Sequence, residues 1–136
     1  RDITSRQPVG LSEIVDLSWR HRRCGLGLIV FKQFQGRRYG IDARICMMNF
    51  LFSEMKIRRV LGGYLAHNRA VSGLHERLGA QPCGRLVKDR LIQGGWVDVI
   101  PHWTSPERFY AAVGDHLERW PELVGISALK PEQIKA

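Results

Sequence analysis

Apolar and polar positions in the first part of the chain follow the pattern of two strands. Residues 9–19 alternate polar and apolar side chains, as in a half-buried strand, and residues 24–31 form an apolar run suited to a second strand. The basic residues 20–23 between them are predicted to form a turn. The two strands are therefore expected to pair as a hairpin.

A long apolar segment at residues 39–55 predicts a helix that other structure covers on most sides. A short strand is predicted at residues 59–65, where Gly62 and Gly63 indicate a bulge or a close backbone approach. The helix has few polar positions, and these are the ones expected to be exposed: Asp42, Arg44, Asn49, Ser53 and Glu54.

Capping and turn residues divide the second half of the chain. Asn68 is placed to cap a helix at residues 69–78, and Gly79 follows where a left-handed residue commonly ends a helix. Residues 84–92 and 96–100 alternate around Gln-Gly-Gly and predict a hairpin.

A capping-box and proline combination predicts a last helix at residues 105–120. Residues 125–136 are interpreted as a tail, and His102 and Trp103 are placed in the corner before the helix, where packing is the default role and an acceptor site the alternative. Two sets of residues define this helix, the start signal Thr104, Ser105, Pro106 and Glu107 and the apolar stripe Phe109, Val113, Leu117 and Trp120.

The order of these elements predicts a single mixed α/β domain over residues 1–124. A right-handed crossover from the strand at 24–31 through the long helix to the strand at 59–65 makes those two strands parallel neighbours. The Gln-Gly-Arg-Arg-Tyr-Gly turn between the strand at 24–31 and the long helix then lies at the carboxyl edge of the sheet. Ligands bind at that edge in open α/β sheets.

Composition restricts the kinds of partner and of metal or membrane site that the chain is expected to have. The chain has 136 residues, a formal net charge of +8 and an isoelectric point near 10.0, which favour an anionic partner such as nucleic acid, an acidic membrane or a phosphate-rich cofactor. Charged residues interrupt every apolar run before it reaches the length of a membrane span. The three cysteines, Cys24, Cys46 and Cys83, lack metal-ligand spacing and predict a reduced, cytoplasmic protein with buried thiols and no metal site.

The turn at residues 35–40 is the first candidate site. A strand, a glycine-containing turn and a helix start leave backbone amides unpaired, and the helix dipole attracts negative charge there. Arg37 and Arg38 add two cations to this position. Phosphate binding is therefore favoured over a solvated basic helix start.

Two segments, which carry three motifs, together resemble the GNAT superfamily of acyl-CoA-dependent N-acyltransferases. RRCGLGLIVFKQFQGRRYGIDARICMMNFLF is followed, in the family's order, by NRAVSGLHERLGAQPCGRLVKDRLIQGGWVDV. The resemblance is greatest to the branch that contains phosphinothricin, spermidine and ribosomal-protein acetyltransferases. It implies a mixed sheet whose two central parallel strands splay apart.

The resemblance implies binding of an acyl-CoA, acetyl-CoA first, as co-substrate. Residues in the turn would hold the pyrophosphate, backbone near Ile29 and Phe31 would bind the pantetheine arm in the splay, and Asn68 and Ser72 would contact that arm. Arg38 departs from the family, whose middle residue in the turn is glycine. Its side chain obstructs the approach or forces a conformation that arginine adopts with difficulty, or else it contacts the phosphates. The turn residues are Gln35, Gly36, Arg37, Arg38, Tyr39 and Gly40.

His75 is the candidate general acid. The spacing from Asn68 to Ser72 to His75 places the three side chains on one helix face. Relatives often have a tyrosine at the His75 position that reprotonates the departing thiolate, and a histidine with a pKa near neutral suits the same role. A purely structural histidine is the competing interpretation.

The general base and the acceptor pocket are less defined. The family's glutamate before the turn corresponds to Gly25, so Glu13, Asp16 or a water chain is the candidate substitute. An ordinary surface position on the strand is the favoured interpretation of each carboxylate. The family has further elements before the hairpin with which this chain starts, and these usually build the acceptor pocket. An upstream segment, a second chain or a homo-oligomer is therefore expected to complete the fold.

Two functions follow from these patterns. The first is an acyl-CoA-dependent N-acyltransferase that transfers the acyl group directly to a primary amine, in a small molecule or a protein, within a ternary complex. The second is a catalytically weak binding module that uses a basic face for nucleic acid, an acidic protein or an acyl-carrier protein. Arg38 and Gly25 favour the second, whereas the preserved order of motifs favours the first.

Overall fold

A computed structural model describes residues 1–2 and 4–119, with side chains up to residue 115. The predicted tail at 125–136 and the last residue of the helix predicted at 105–120 lie outside the described residues. The elements in chain order are β1 (Gly10–Ser18), β2 (Arg23–Val30), a 3-10 turn (Lys32–Phe34), α1 (Tyr39–Ser53), β3 (Arg59–Leu65), α2 (Arg69–Arg77), β4 (Gln81–Pro82), β5 (Leu86–Ile92), β6 (Gly95–Thr104) and α3 (Pro106–Arg119).

The strands form one mixed sheet in the order β1-β2-β3-β6-β4, and β5 also pairs with β6. β1 and β2 form the predicted antiparallel hairpin, with Gly10 opposite Val30. β2 and β3 are parallel and α1 connects them, as the crossover predicted. The mixed α/β fold class is therefore confirmed, and only the two-residue strand β4 was missed.

The two central parallel strands pair only at one end. Their register runs from Arg23 opposite Arg59 to Gly25 opposite Leu61 and stops there, although β2 continues to Val30 and β3 to Leu65. The splay implied by the resemblance is thus present. It opens towards the carboxyl ends of both strands, where α1 begins.

The core lies between the sheet and the helices. Phe109 and Val113 of α3 are buried in it, as the predicted apolar stripe requires. Across the hairpin, Leu11 and Ile29 are 66% and 65% exposed, because they face away from the core-facing pair Ile14 and Leu26. The buried core cluster comprises Cys24, Ile45, Met48, Leu51, Phe52, Ile57, Val60, Leu78, Phe109 and Val113.

The prediction of which α1 residues are exposed was wrong. Three polar residues expected in solvent, Arg44, Asn49 and Ser53, are buried, whereas Phe50 is exposed. The Asn49 side chain accepts a hydrogen bond from Tyr110 Oη at 2.7 Å, and Ser53 Oγ donates to the Asn49 carbonyl at 2.6 Å. Periodicity ranks these positions as polar, but tertiary packing buries them, and for Asn49 the helix α3 supplies a partner that the local sequence does not contain.

Strand β6 also differs from its prediction. It extends to Thr104, so His102 and Trp103 are strand residues and not part of a corner. Gly62 pairs with His102 in regular register without a bulge, and a Cβ on Gly62 would lie 2.8 Å from the His102 ring. Ser105, not Thr104, caps α3, since its Oγ accepts from the Arg108 N–H at 3.3 Å.

Two further properties concern membrane-spanning helices and the burial of the cysteines. No helix among residues 4–119 is long and apolar enough to cross a membrane. Cys24 is buried and Cys46 partly buried, but Cys83 is exposed, which corrects the prediction of three buried thiols.

Candidate functional site

The turn between β2 and α1 has the backbone of an anion site. Gly36 and Arg38 both have positive φ, at 78° and 69°, and α1 begins directly after Arg38. The first amides of an α-helix have no intrahelical partner, and no side chain caps them at this helix start. Arg37 and Arg38 are exposed.

Arg38 occupies a conformation that favours glycine. A left-handed non-glycine residue costs about 1 kcal/mol or more. The sequence prediction that Arg38 adopts the turn with difficulty therefore agrees with its φ of 69°.

Tyr39 and Gln35 are held by neighbouring groups. Tyr39 Oη donates to Asp2 Oδ2 at 2.6 Å, and the pKa of Asp2 is lowered to about 2, chiefly by the backbone N–H of Ser5 and then by Tyr39. Gln35 Nε2 donates to the Val30 carbonyl at 3.0 Å. Because the Tyr39 hydroxyl is bonded to Asp2, the backbone amide of Tyr39 is the group of this residue that is left to bind a ligand.

The splay opens into a cleft of about 950 Å³ that passes between β2 and β3. Its lining includes Gly40 from the start of α1, Gly25 and Gly27 from β2, and Gly62 from β3. The lining also includes Glu13 of β1, Arg44 of α1 and His75 of α2.

Backbone groups of β2 alternate between β1 and the cleft. The Phe31 N–H donates to the Val9 carbonyl at 2.9 Å, so Phe31 faces β1, and by alternation Ile29 does as well. Leu28 then presents its backbone groups to the cleft, whereas the Val30 carbonyl accepts from Gln35 Nε2. The backbone contacts expected near Ile29 and Phe31 therefore shift to Leu28, because the hairpin register fixes which groups are already paired.

Helix α2 carries the second predicted motif. Asn68 caps it, with Oδ1 accepting from the Val71 N–H at 3.2 Å, and Ser72 Oγ donates to the Arg69 carbonyl at 3.1 Å. Of Asn68, Ser72 and His75, only His75 lines the large cleft; Asn68 borders a smaller depression of about 410 Å³.

The ring of His75 belongs to a cluster of three rings. Its ring centroid lies 4.5 Å from that of His102 and 6.0 Å from that of Tyr64, and the Tyr64 and His102 centroids are 5.6 Å apart. Burial, followed by the nearby Arg44 charge, lowers the pKa of His75 to about 3 and that of His102 to about 4. Both imidazoles are therefore neutral at pH 7, so the predicted role of His75 as a charged acid is not supported.

Arg44 was not identified as a site residue from the sequence, and His102 was given an acceptor site only as the alternative to packing. His102 is 2% exposed and neither ring nitrogen has a partner among the described residues. Arg44 is 8% exposed, its Nε is unpartnered, and burial lowers its pKa to about 10. The Gly62 and Gly63 pair was the one local signal for His102; Arg44 had none.

Two carboxylates line the cleft from β1. Glu13 pairs across the hairpin with Gly27, and a Cβ on Gly27 would lie 2.9 Å from Glu13 Oε1. Glycine at this position therefore makes room for the Glu13 side chain at the cleft. Asp16 also lines the cleft and has a φ of 50° at an irregularity in β1. In residues 1–2 and 4–119, no group of three His, Cys, Asp or Glu side chains is placed to hold a metal ion.

Comparison with known families matches residues 2–81 to the acetyltransferase (GNAT) domain. The [ribosomal protein uS5]-alanine N-acetyltransferase of Escherichia coli (strain K12) is 28% identical over 85 residues, which cover 62% of this chain and 44% of the relative. The enzyme of the same description from Shigella flexneri gives the same values. The chain thus spans less than half the length of these curated relatives.

Solved structures share the fold. A chimera of the spermidine N-acetyltransferase SpeG from Vibrio cholerae and hSSAT superposes with a TM-score of 0.75 at 18% identity, covering 82% of this chain and 69% of that one. A putative acetyltransferase superposes with a TM-score of 0.72 at 22% identity, covering 85% and 62%.

Proposed function

This chain belongs to the acetyltransferase (GNAT) domain family, and on that basis we propose that it is an acyl-CoA-dependent N-acyltransferase acting on a primary amine. The observation that carries the proposal is the cleft between the splayed strands, which has an uncapped helix start at one end. An acyl-CoA needs both features, because its phosphates require donors and its pantetheine arm requires free strand edges.

The turn holds the donor's pyrophosphate. The first amides of α1 donate to its oxygens, and the exposed guanidinium groups of Arg37 and Arg38 add charge-assisted contacts. Gln35, Gly36, Tyr39 and Gly40 supply the backbone of the same site. The pantetheine arm then runs along β2 opposite Leu28, and Asn68 and Ser72 on α2, which do not line the cleft, contact the part of the donor that lies outside it.

The reaction is a direct transfer in a ternary complex. The amine nitrogen attacks the thioester carbonyl, so that the new C–N bond forms and the C–S bond breaks. Glu13 accepts the proton of the amine, because its carboxylate lies at the cleft in the space left by Gly27. The coenzyme leaves as a thiolate.

His75 acts in its neutral form. With a pKa of about 3 it holds no extra proton at pH 7, but its one N–H can donate a hydrogen bond within the cleft. We therefore propose His75 as a hydrogen-bond donor of the site and assign reprotonation of the thiolate to solvent.

Calorimetric titration with acetyl-CoA, followed by detection of the released thiol with an amine panel, tests the proposal. The panel contains spermidine and a peptide with an N-terminal alanine, since related proteins carry these names. Micromolar binding with amine-dependent thiol release supports an acyltransferase. The absence of both binding and thiol release from purified, folded protein would overturn it.

A second candidate function is nucleic-acid binding, favoured by one surface. At the other end of the sheet, the N–H groups of Arg58 and Arg59 donate to the Arg22 carbonyl at 2.7 and 3.2 Å, which joins two basic segments. The basic surface consists of six exposed cations: Arg20, Arg22, Arg23, Lys56, Arg58 and Arg59.

A salt titration of RNA binding separates the two candidates. Retention of RNA that weakens steeply with salt and is lost on R22E/R58E substitution, without thiol release, supports the binding module. Thiol release that is unchanged in the same variant supports the acyltransferase.

A further inference from the structure

We propose that Arg44, His75 and His102 form a binding site for a carboxylate carried by the acyl group of the donor. The donor would then be the half-thioester of a dicarboxylic acid and not acetyl-CoA. The inference rests on the proposed acyltransferase function and specifies its substrate class.

Arg44 provides the first argument. Its guanidinium is buried and its Nε has no partner. The ion pairs among the described residues join Arg85 to Asp98 and Arg90 to Asp89, and neither involves Arg44. A buried cation without a counter-ion is strongly unfavourable, and an anion entering the cleft relieves that cost.

The two histidines provide the second argument. A neutral imidazole offers one N–H donor, and both nitrogens of the buried His102 are without partners. His75 lies 4.5 Å from it, centroid to centroid, and lines the same cleft. A guanidinium with two adjacent N–H donors is a complement for a carboxylate, whose oxygens accept up to four hydrogen bonds.

The position of Arg44 on α1 indicates the source of the carboxylate. Arg44 lies four residues, or about one helical turn, after Gly40 in the helix whose start holds the donor's phosphates. It lines the cleft together with Gly40 and Ile41, so a donor anchored at the turn directs its acyl end towards the guanidinium.

The opposite charge lies on the other face of the sheet. Glu13 pairs with Gly27, and alternation places both on the face away from the core residues Ile14 and Leu26. An ammonium group is attracted to Glu13, whereas a carboxylate is attracted to Arg44. The acceptor amine and the acyl carboxylate therefore occupy different sides of the splayed strands.

The carboxylate takes no part in bond making. The C–N bond still forms at the thioester carbon, the C–S bond breaks, and the amine proton goes to Glu13. Neutral acyl groups leave Arg44 without a counter-ion, so they bind with less favourable free energy even where their shape fits.

Matched thioesters test the inference. Binding and thiol release are measured for malonyl-, succinyl- and glutaryl-CoA against acetyl-CoA and 4-methylpentanoyl-CoA, the last being a neutral isostere of succinyl-CoA. At least one dicarboxylic donor should exceed both neutral donors in kcat/KM and affinity by about 10- to 100-fold, the range of charge-assisted hydrogen bonds.

Arg44→Met should abolish that preference while leaving acetyl-CoA binding within about threefold, and Arg90→Met on exposed β5 serves as the matched control that retains it. Dicarboxylic donors should also raise Tm more than neutral donors in the unsubstituted protein but not in Arg44→Met. Equal use of charged and neutral donors, or an equal loss of both in Arg44→Met, would overturn the carboxylate site and leave the acyltransferase standing. Failure of every acyl-CoA to bind would instead overturn the proposed function.

Discussion

His75 of α2 and His102 of β6 lie with their ring centroids 4.5 Å apart at an interplanar angle of 36°. Burial keeps both rings neutral, with pKa values of about 3 and about 4, whereas the ordinary value is 6.5. Between these values the unfolded chain binds protons that the folded chain does not. The free energy of unfolding must therefore decrease as pH falls from about 6.5.

The first prediction concerns this pH dependence. Between pH 7 and pH 5, denaturant titration should show a loss of roughly 3–4 kcal/mol in the free energy of unfolding from the two rings together. His75→Phe should remove about half of that loss. His21→Gln changes an exposed histidine and should leave it unaltered. If the free energy of unfolding of His75→Phe depended on pH as steeply as that of the unsubstituted protein, the lowered pKa assigned to His75 would be contradicted.

The second prediction concerns Arg38 in the turn. Arg38→Gly should raise the free energy of unfolding by about 1 kcal/mol, because glycine adopts a φ of 69° without strain. It should also weaken acyl-CoA binding about three- to tenfold, because the exposed guanidinium no longer contacts the phosphates. Arg22→Gly, at a φ of 49°, is the control that gains stability without a change in affinity. Tighter binding in Arg38→Gly would show that the arginine obstructs the site.

The third prediction concerns Glu13 as the general base. Glu13→Gln should lower kcat by about 10²- to 10⁴-fold with little effect on donor affinity. Gly27→Ala should also lower kcat, since its Cβ would lie 2.7 Å from Glu13 Cγ and displace the carboxylate. Asp16→Asn tests the other carboxylate of the cleft. If Asp16→Asn alone removes activity, the base is Asp16.

The fourth prediction concerns the stability cost of Arg44. Arg44→Met removes an unpaired buried charge while keeping an unbranched side chain of similar length. We expect the free energy of unfolding to rise by about 1–3 kcal/mol, measured by denaturant titration without ligand. A decrease would show that Arg44 has a stabilising partner in the unliganded protein.

The fifth prediction separates capping from binding at Asn68. Asn68→Ala and Ser105→Ala each remove a side chain that accepts from a helix N–H, in α2 and α3. Each should cost about 1 kcal/mol of stability. Only Asn68→Ala should also weaken acyl-CoA binding in calorimetry. Equal affinities in the two variants would restrict Asn68 to a structural role.

Local patterns predicted most of the fold. The alternation in β1, the apolar run of β2, the Asn68 cap and the parallel crossover were all found, because each depends on residues close in sequence or on the handedness of strand connections. In each case the constraint acts within one element or between consecutive ones.

The sequence by itself determined the family, the turn at residues 35–40 and the helix that carries Asn68 and His75. Only the tertiary structure decided which neighbours these groups have. Arg44 is polar in a periodic pattern but becomes buried once α1 packs on the sheet, and His102 joins His75 only because β6 inserts beside β3. Burial and pairing between distant elements set charge states and free hydrogen-bonding groups, and no local pattern encodes them.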